Sequence, residues 1–86
     1  APLVSFRELN LIGQRAGEAR DEVEKFLDQA ALAGLSRVRI VHGHGMGILK
    51  KMVRELLKES PYVAKFYEAP QVEGGAGATI AEMREE

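Results

Sequence analysis

The chain has 86 residues, of which 45% are hydrophobic and 29% charged, a composition ordinary for one small globular domain. It contains no cysteine, which excludes disulfide bonds and thiolate metal sites. No apolar run approaches the roughly 18 residues of a membrane span, so we expect no membrane partner. The chain begins at Ala1 rather than at methionine, and we interpret it as a fragment of a longer protein.

The first half of the chain predicts a strand, a long helix and a second strand. Polar and apolar residues alternate from Phe6 to Ile12, which is typical of a strand. From Ala16 onward apolar residues recur at helical spacing, and Gly34 is a natural end for that helix. Val38 and Ile40 then alternate with two arginines, which predicts a second strand over residues 37–41.

The second half predicts another helix and two further strands. Its helix presents an apolar stripe at spacings of three and four residues: Leu49, Met52, Val53, Leu56 and Leu57. Ser60-Pro61 ends that helix, because the residue before a proline avoids the helical conformation. Residues 63–68 alternate with Val63 and Tyr67 on one side and Phe66 on the other, which predicts a third strand. A glycine-containing loop over residues 70–77 leads to a final short strand over 78–83.

This element order predicts an α/β domain of the two-layer α+β sandwich type. We expect a four-stranded mixed sheet with both helices on one face, in the order β-α-β-α-β-β, because the two apolar helical stripes need a shared core. Strands joined by a helix should run parallel, and the last two strands should be antiparallel. The domain is expected over residues 7–83, after a disordered or linker segment (1–6) and before a polar tail (84–86).

Charge is distributed unevenly along the chain. The net charge at pH 7 is −1. Residues 34–58 nevertheless carry +5, because one acid, Glu55, stands against six basic residues: Arg37, Arg39, Lys50, Lys51, Arg54 and Lys58. A local positive face of this kind attracts phosphates even when the total charge is near zero.

A glycine-rich stretch lies between the second strand and the second helix, where Val41 is followed by His-Gly-His-Gly-Met-Gly. Such a junction exposes backbone N–H groups and the positive end of the helix dipole, which suits a phosphate. The spacing excludes two common nucleotide loops. Ile48 stands where a dinucleotide fingerprint needs its third glycine, and no Gly-Lys-Ser/Thr closes a Walker A loop. A plain structural turn remains the alternative, since glycine also favours turns.

Both histidines of the chain, His42 and His44, lie in this stretch. An imidazole beside a bound phosphodiester can act as base or acid near neutral pH. Two histidines separated by one residue do not make a zinc site, although a carboxylate-held Mg²⁺ stays open. In the structural alternative, His42 is a hydrogen-bonded residue at a strand end and His44 an exposed loop residue. Phe66 and Tyr67 could similarly stack on bases or pack in the core.

Three separated segments together resemble one family, the small MutS-related (Smr) domain. Leu9 to Gly13 is similar to the family's Leu-Asp-Leu-His/Arg-Gly strand end. Arg39 to Lys50 is similar to its His-Gly-x-Gly-Thr-Gly-x-Leu-Arg/Lys element, and Glu73 to Thr79 to its Gly-Gly-x-Gly-Val/Ala-Thr loop. The resemblance covers residues 7–83 and extends to versions found at the C-terminus of the bacterial MutS paralogue that suppresses recombination.

The resemblance implies a fold similar to the C-terminal domain of bacterial translation initiation factor three. It also implies nucleic-acid binding and, in several members, endonuclease nicking of DNA or cleavage of RNA. Carried over residue by residue, it assigns catalysis to His42 and to Asn10. Together with the local charge it predicts a nucleic-acid-binding set around the two glycine-rich segments: Arg37, Arg39, Gly43, His44, Gly45, Gly47, Lys50, Lys51, Arg54, Gly74 and Gly75. No metal-ligating residue is predicted, and Mg²⁺ is the one cofactor left open.

Three positions depart from the family pattern. Asn10 stands where the family often has an aspartate implicated in cleavage, and asparagine cannot act as a carboxylate base. Ile12 replaces a histidine or arginine, and it offers no charge to a phosphate. Met46 replaces the threonine that would cap the second helix. These departures set a non-catalytic binding module beside the nuclease as a competing hypothesis.

The leading hypothesis is a nucleic-acid-binding domain with endonuclease (nicking) activity on DNA, in a cytoplasmic MutS-like protein acting in recombination suppression or ribosome quality control. The alternative is a DNA- or RNA-binding module that has lost the chemistry. Expected partners are branched or duplex DNA, RNA or the ribosome, with a monomeric domain in a dimeric parent protein. A third hypothesis, protein interaction through the acidic first helix, rests on surface charge alone.

Overall fold

The structure is a computed structural model that describes residues 6–45 and 47–84, with side chains from residue 8 onward. It contains four strands and two helices: β1 (Phe6–Asn10), α1 (Ala16–Leu32), β2 (Arg37–Val41), α2 (Ile48–Glu59), β3 (Val63–Glu68) and β4 (Ala78–Met83). Between β3 and β4 the chain forms two short 3-10 turns, Gln71–Glu73 and Gly75–Gly77. Most of the predicted N-terminal linker, Met46 and the end of the tail lie outside the described residues, whereas Phe6 belongs to β1.

The four strands form one mixed sheet in the order β1-β2-β4-β3. β1 and β2 pair in parallel, and β4 runs antiparallel to both β2 and β3. The predicted mixed sheet and the antiparallel pairing of the last two strands are therefore confirmed. Because β4 lies between β2 and β3, its first residue, Ala78, pairs with Val41 at the end of β2. This pairing brings the segments before β4 and after β2 to the same edge of the sheet.

Both helices pack on one face of the sheet, as predicted. The core that they share includes Val23 and Leu27 of α1, Val53 and Leu57 of α2, and Ile40 of β2. The other face carries a smaller apolar cluster of Ala69, Ala78 and Ile80, against which Val41 and Tyr67 pack. We call these two surfaces the helix face and the open face. Strand alternation assigns each strand residue to one of them.

The first helix ends as its sequence predicts. Gly34 has φ 71°, a left-handed conformation that costs glycine little. Its N–H bonds the carbonyl of Ala31 at 3.1 Å, and the N–H of Leu35 bonds the carbonyl of Ala30 at 3.0 Å. These two bonds make a Schellman cap, which satisfies carbonyls that the helix end would otherwise leave unpaired.

Two strands differ in detail from their sequence patterns. β1 ends at Asn10 rather than Ile12, because the Asn10 side chain accepts the N–H of Ile12 at 2.9 Å and turns the chain. In β3 the pairing register shifts between Val63 and Lys65. This irregularity puts Val63 and Phe66 in the same core, so the predicted alternation of β3 is wrong at its first residue.

Candidate functional site

The two glycine-rich segments meet at one edge of the sheet. The N–H groups of His42 and Gly43 both donate to the carbonyl of Gly77, at 3.0 and 2.9 Å. His44 lies against the same glycine so closely that a Cβ at position 77 would come within 2.9 Å of its Nε2 atom. The described residues of the loop after β2 (42–45 and 47) and the turn before β4 (75–77) therefore form a single surface. Gly43 lies within it, and Gly45 follows two residues later in the same loop.

The His42 side chain is buried and hydrogen-bonded through both ring nitrogens. Nδ1 donates to the carbonyl of Gly43 at 3.0 Å, because a carbonyl can only accept. Nε2 then accepts the hydroxyl of Thr79 on β4, at 2.9 Å. Burial lowers the pKa of His42, and the nearby positive charges of Lys50 and Arg54 lower it further. The ring is therefore held neutral in one tautomer.

A groove with a basic rim runs along α2 from the glycine loop. It has a volume of about 400 Å³ and is lined by Gly47, Lys50, Lys51, Arg54, Glu55, Lys58 and Phe66. Glu55 is the single acid of this lining. We call its four cations, Lys50, Lys51, Arg54 and Lys58, the α2 cation set. The positive charges of Lys50 and Arg54 that act on His42 place this groove beside the glycine loop. The structure thus brings together the predicted residues His42, Gly47, Lys50, Lys51 and Arg54.

The start of α2 adds backbone donors to this surface. Gly47 occupies the N-cap position with φ 80°, and no side chain caps the helix there. The first N–H groups of an α-helix have no partners inside the helix, and together with the helix dipole they favour an anion. α2 has no acidic residue in its first turn that would supply such a charge from within the chain. Met46, predicted to leave this cap empty, lies outside the described residues.

Arg37 and Arg39 lie on the open face rather than beside α2. Arg37 Nη2 donates to both carboxylate oxygens of Glu73, at 3.0 and 2.8 Å. Arg39 Nη1 donates to the Glu73 carbonyl at 2.9 Å, and its Nη2 forms an ion pair with Glu8. These contacts hold the turn that carries Glu73 against β2. Both arginines therefore affect the surface formed by the two glycine-rich segments indirectly, through the loop that they bind.

Asn10 and Ile12 lie at the end of β1, beside the glycine loop. Asn10 pairs in register with Val41, whose side chain belongs to the open face. His42 contacts Thr79, which follows the helix-face alternation of β4. The two predicted catalytic side chains thus lie on different faces of the sheet. Ile12 is 60% exposed and lies next to Gly43, where a Cβ would come within 3.3 Å of it.

Gly74 and Gly75 use their backbone N–H groups inside their own loop. Gly74 N–H donates to the carbonyl of Gln71 at 3.3 Å, and Gly75 N–H donates to that of Pro70 at 3.0 Å. Both glycines have positive φ, 116° and 54° respectively. Their visible role is to shape the turn that presents the Gly77 carbonyl to the loop after β2.

Three contributors to the site were not among the predicted site residues. Thr79, which fixes the His42 ring, stands at the threonine of the family's late loop, so the motif contained a signal for it. Lys58 completes the α2 cation set and follows Arg54 by one helical turn, a spacing readable from sequence. Glu73 carries no local signal, because its partner Arg37 is 36 residues away.

The described residues do not form a ready metal cage. Within residues 6–45 and 47–84, no group of three or more His, Cys, Asp or Glu side chains gathers closely enough to hold an ion.

Comparison with known proteins identifies the family. The family model described as Smr domain matches residues 9–84. The chain belongs to the Smr domain family. It is 53% identical over 72 residues to Endonuclease MutS2 of Carboxydothermus hydrogenoformans, covering 84% of this chain and 9% of that protein. It is 48% identical over 77 residues to Endonuclease MutS2 of Halalkalibacterium halodurans, covering 90% of this chain and 10% of that protein.

Solved Smr structures share the fold of this Smr domain. The crystal structure of the Smr domain of Thermus thermophilus MutS2 superposes with a TM-score of 0.89 at 39% identity, covering 92% of this chain and 99% of that one. YdaL, a stand-alone small MutS-related protein from Escherichia coli, gives 0.87 at 33% identity, covering 91% of this chain and 64% of that one. These matches confirm the predicted family and the α+β fold. The chain spans about a tenth of the length of its MutS2 relatives.

Neither helix in the described part of the chain is long and apolar enough to cross a membrane.

Proposed function

We propose that this Smr domain binds nucleic acid through the loop of residues 42–47 and the α2 cation set. The observation that carries the proposal is the gathering of four cations around one groove that begins at Gly47. A phosphodiester backbone offers a repeating negative charge to such a row, and phosphate contacts supply most of the affinity of non-specific nucleic-acid binding. The uncapped start of α2 provides a place for one phosphate oxygen at the end of that row.

In this proposal Arg37 and Arg39 act indirectly. Their guanidinium groups are bound to Glu73 and Glu8 on the open face. They hold the first 3-10 turn, Gln71–Glu73. That turn leads directly to the second one, whose Gly77 carbonyl accepts the N–H groups of His42 and Gly43. Gly74 and Gly75 contribute by shaping the same turn, and the exposed residues His44 and Gly45 face the ligand from the loop.

The binding surface can be mapped by titrating the ¹⁵N-labelled domain with a short oligonucleotide at low salt. We expect amide shifts at Gly45, Gly47, Lys51 and Arg54, with weaker binding as salt increases. The acidic helix α1 is the internal control, and its Glu22 and Glu24 amides should stay unchanged. Absence of binding at low salt, or shifts confined to α1, would contradict the proposal.

A second candidate function is cleavage of the bound phosphodiester, which the name of the relatives, Endonuclease MutS2, favours. In the first form of this candidate, neutral His42 releases the Thr79 hydroxyl and accepts at Nε2 a proton from the water that attacks phosphorus. The P–O bond to the leaving oxygen breaks, and that oxygen takes a proton from solvent. In the second form, the exposed imidazole of His44 is the acid or base. Asn10 could contribute only hydrogen bonds, since an amide does not titrate.

Nicking of supercoiled DNA and cleavage of RNA, each assayed with Mg²⁺ and with a chelator, test this candidate. If His42 is catalytic, His42→Ala should abolish cleavage while His44→Ala retains it, and the reverse result would assign the role to His44. Asn10→Asp preserves an acceptor for the Ile12 N–H and is expected to raise any activity that lacks a carboxylate base. A wild-type domain that binds but cleaves neither substrate would be a binding module.

Because the chain spans about a tenth of the length of its MutS2 relatives, we propose that it belongs to a longer cytoplasmic protein that acts on DNA or RNA. Suppression of recombination or the handling of stalled ribosomes would both use a domain that recognises a phosphate backbone. We propose that the domain itself is monomeric and that its parent is a dimer. Light scattering of the isolated domain and of the full-length parent would test both statements.

A further inference from the structure

The groove beside α2 combines a basic rim with an aromatic floor. Phe66 of β3 is partly buried against the core, and it also lines the groove. The volume of about 400 Å³ lies within the range of small-ligand sites, roughly 300–1,000 Å³. The site is therefore large enough for one flat ring placed on Phe66 between the cations of α2.

An aromatic floor distinguishes between paired and unpaired nucleic acid. In a duplex the base faces are stacked on one another, so a protein surface meets phosphates, sugars and base edges. An unpaired base exposes its face and can stack on an aromatic side chain. A row of cations alone would serve a duplex equally well, whereas Phe66 within that row adds a contact that only an unpaired base can use.

Arg54 adds a guanidinium group to the groove lining. A guanidinium can hold a phosphate through two parallel N–H bonds. Lys51 and Lys58 are exposed on the same rim and available to neighbouring phosphates.

We infer that the groove binds single-stranded nucleic acid, with one unpaired base stacked on Phe66 and the flanking phosphates held by Lys51, Arg54 and Lys58. The inference rests on the proposed function and narrows its substrate class. Because Gly47 also lines the groove, a strand anchored on Phe66 continues toward His42. The groove thus holds the strand, and the glycine loop receives the next phosphate.

The test compares two labelled oligomers of equal length and charge by fluorescence anisotropy with the 86-residue chain. One is oligothymidylate, and the other has the same sugar-phosphate backbone without bases. We expect the base-containing oligomer to bind roughly tenfold more tightly, the scale of one base–aromatic stack. Phe66→Leu should remove this preference while leaving the affinity for the abasic oligomer unchanged. Tyr67→Leu, on the same strand but on the open face, should keep the preference and serves as the matched control.

A second variant keeps the test valid if Phe66→Leu loses stability. The chain contains no tryptophan, so Phe66→Trp introduces a single fluorophore at the groove floor. Its emission should be quenched by oligothymidylate and not by the abasic oligomer. Equal affinity of the wild-type domain for both oligomers would overturn the inference and leave phosphate binding intact. Failure of the wild-type domain to bind either oligomer at low salt would overturn the proposed function itself.

Discussion

Burial and two hydrogen bonds fix the tautomer and the charge of the His42 ring. Its Nδ1–H is bound to Gly43, and its Nε2 accepts from Thr79. The lowered pKa follows mainly from burial, because a charged imidazole loses its hydration there. A histidine in this state stabilises the junction of β2 and β4, and it can enter proton chemistry only when Thr79 rotates away.

This state of His42 predicts that folding stability depends on pH. A lowered pKa means that the unfolded chain binds the proton more readily, so protonation favours unfolding. The free energy of unfolding should be level above the ordinary histidine pKa of 6.5 and should fall as the pH decreases below it. It should level off again once the folded form is also protonated. Urea unfolding between about pH 8 and about pH 5 measures this slope.

The two histidines provide the control. His42→Gln should remove the pH-dependent step, whereas His44→Gln, which changes the exposed ring, should retain it. If the His42→Gln domain kept the full slope between about pH 6.5 and pH 5, another group would be responsible, since exposed carboxylates titrate lower.

Sequence patterns could predict which residues lie at this site but not how they are bonded. The glycine-rich stretch and its two histidines were evident from local spacing alone. The Thr79 hydroxyl reaches His42 across 37 positions and depends on β4 pairing with β2, which no local pattern specifies. For the same reason the separation of Asn10 and His42 onto different faces became visible only in the assembled sheet.

At the scale of elements, the segment of residues 71–77, which contains both 3-10 turns before β4, is held at both ends. Arg37 and Arg39 of β2 bind Glu73 from the open face, and the N–H groups of His42 and Gly43 bind the Gly77 carbonyl. β2 therefore controls the position of the turn through contacts on two sides. An ion pair on the open face can in this way influence the glycine surface.

Weakening this contact should loosen the turn with little loss of global stability. The Arg37 and Glu73 side chains are 35% and 25% exposed, so solvent screens the pair, and Glu73→Gln should cost about 1 kcal/mol or less. Hydrogen exchange of the His42 and Gly43 amides should nevertheless accelerate, since the carbonyl that they bond moves with the turn.

The matched control removes a more exposed pair. Lys65→Gln breaks the 3.7 Å contact with Glu82, in which the lysine side chain is 66% exposed, and it should leave those two amides unchanged. Equal acceleration in both variants would show a general loss of stability instead of a local effect. Unchanged exchange in Glu73→Gln would show that the turn is held by its backbone bonds alone.

All six helices and strands were predictable from sequence, because each has a clear period and a clear stop signal. The predicted end of β1 and the predicted facing of Val63 are wrong because a single side-chain bond or strand pairing overrides the hydrophobic period of the strand. Asn10 shortens β1 by bonding the chain two residues ahead, and the register shift in β3 moves Val63 to the helix face. Such events depend on individual contacts, whereas the period reflects the average environment of a whole element.

At the scale of the whole molecule, charge is separated even though the chain is nearly neutral. The four cations of the α2 set border one groove, while the acids of residues 18–33 lie on α1. A total charge of −1 would by itself argue against a nucleic-acid partner. Because α2 packs beside β3, the cations of α2 gather at one groove. The local electrostatic field of that groove, rather than the net charge, therefore decides whether a phosphate is attracted.

Two double variants with the same total charge separate the effect of local charge at the groove from the effect of net charge on nucleic-acid binding. Lys51→Glu with Lys58→Glu reverses two exposed cations of the groove, and Arg20→Glu with Lys25→Glu reverses two exposed cations of α1. We expect the groove variant to lose about two units from the slope of log affinity against log salt, since each lost phosphate contact removes about one. The α1 variant should keep the wild-type slope. Equal losses in both would mean that net charge governs binding, and an unchanged slope in the groove variant would remove the groove from the interface.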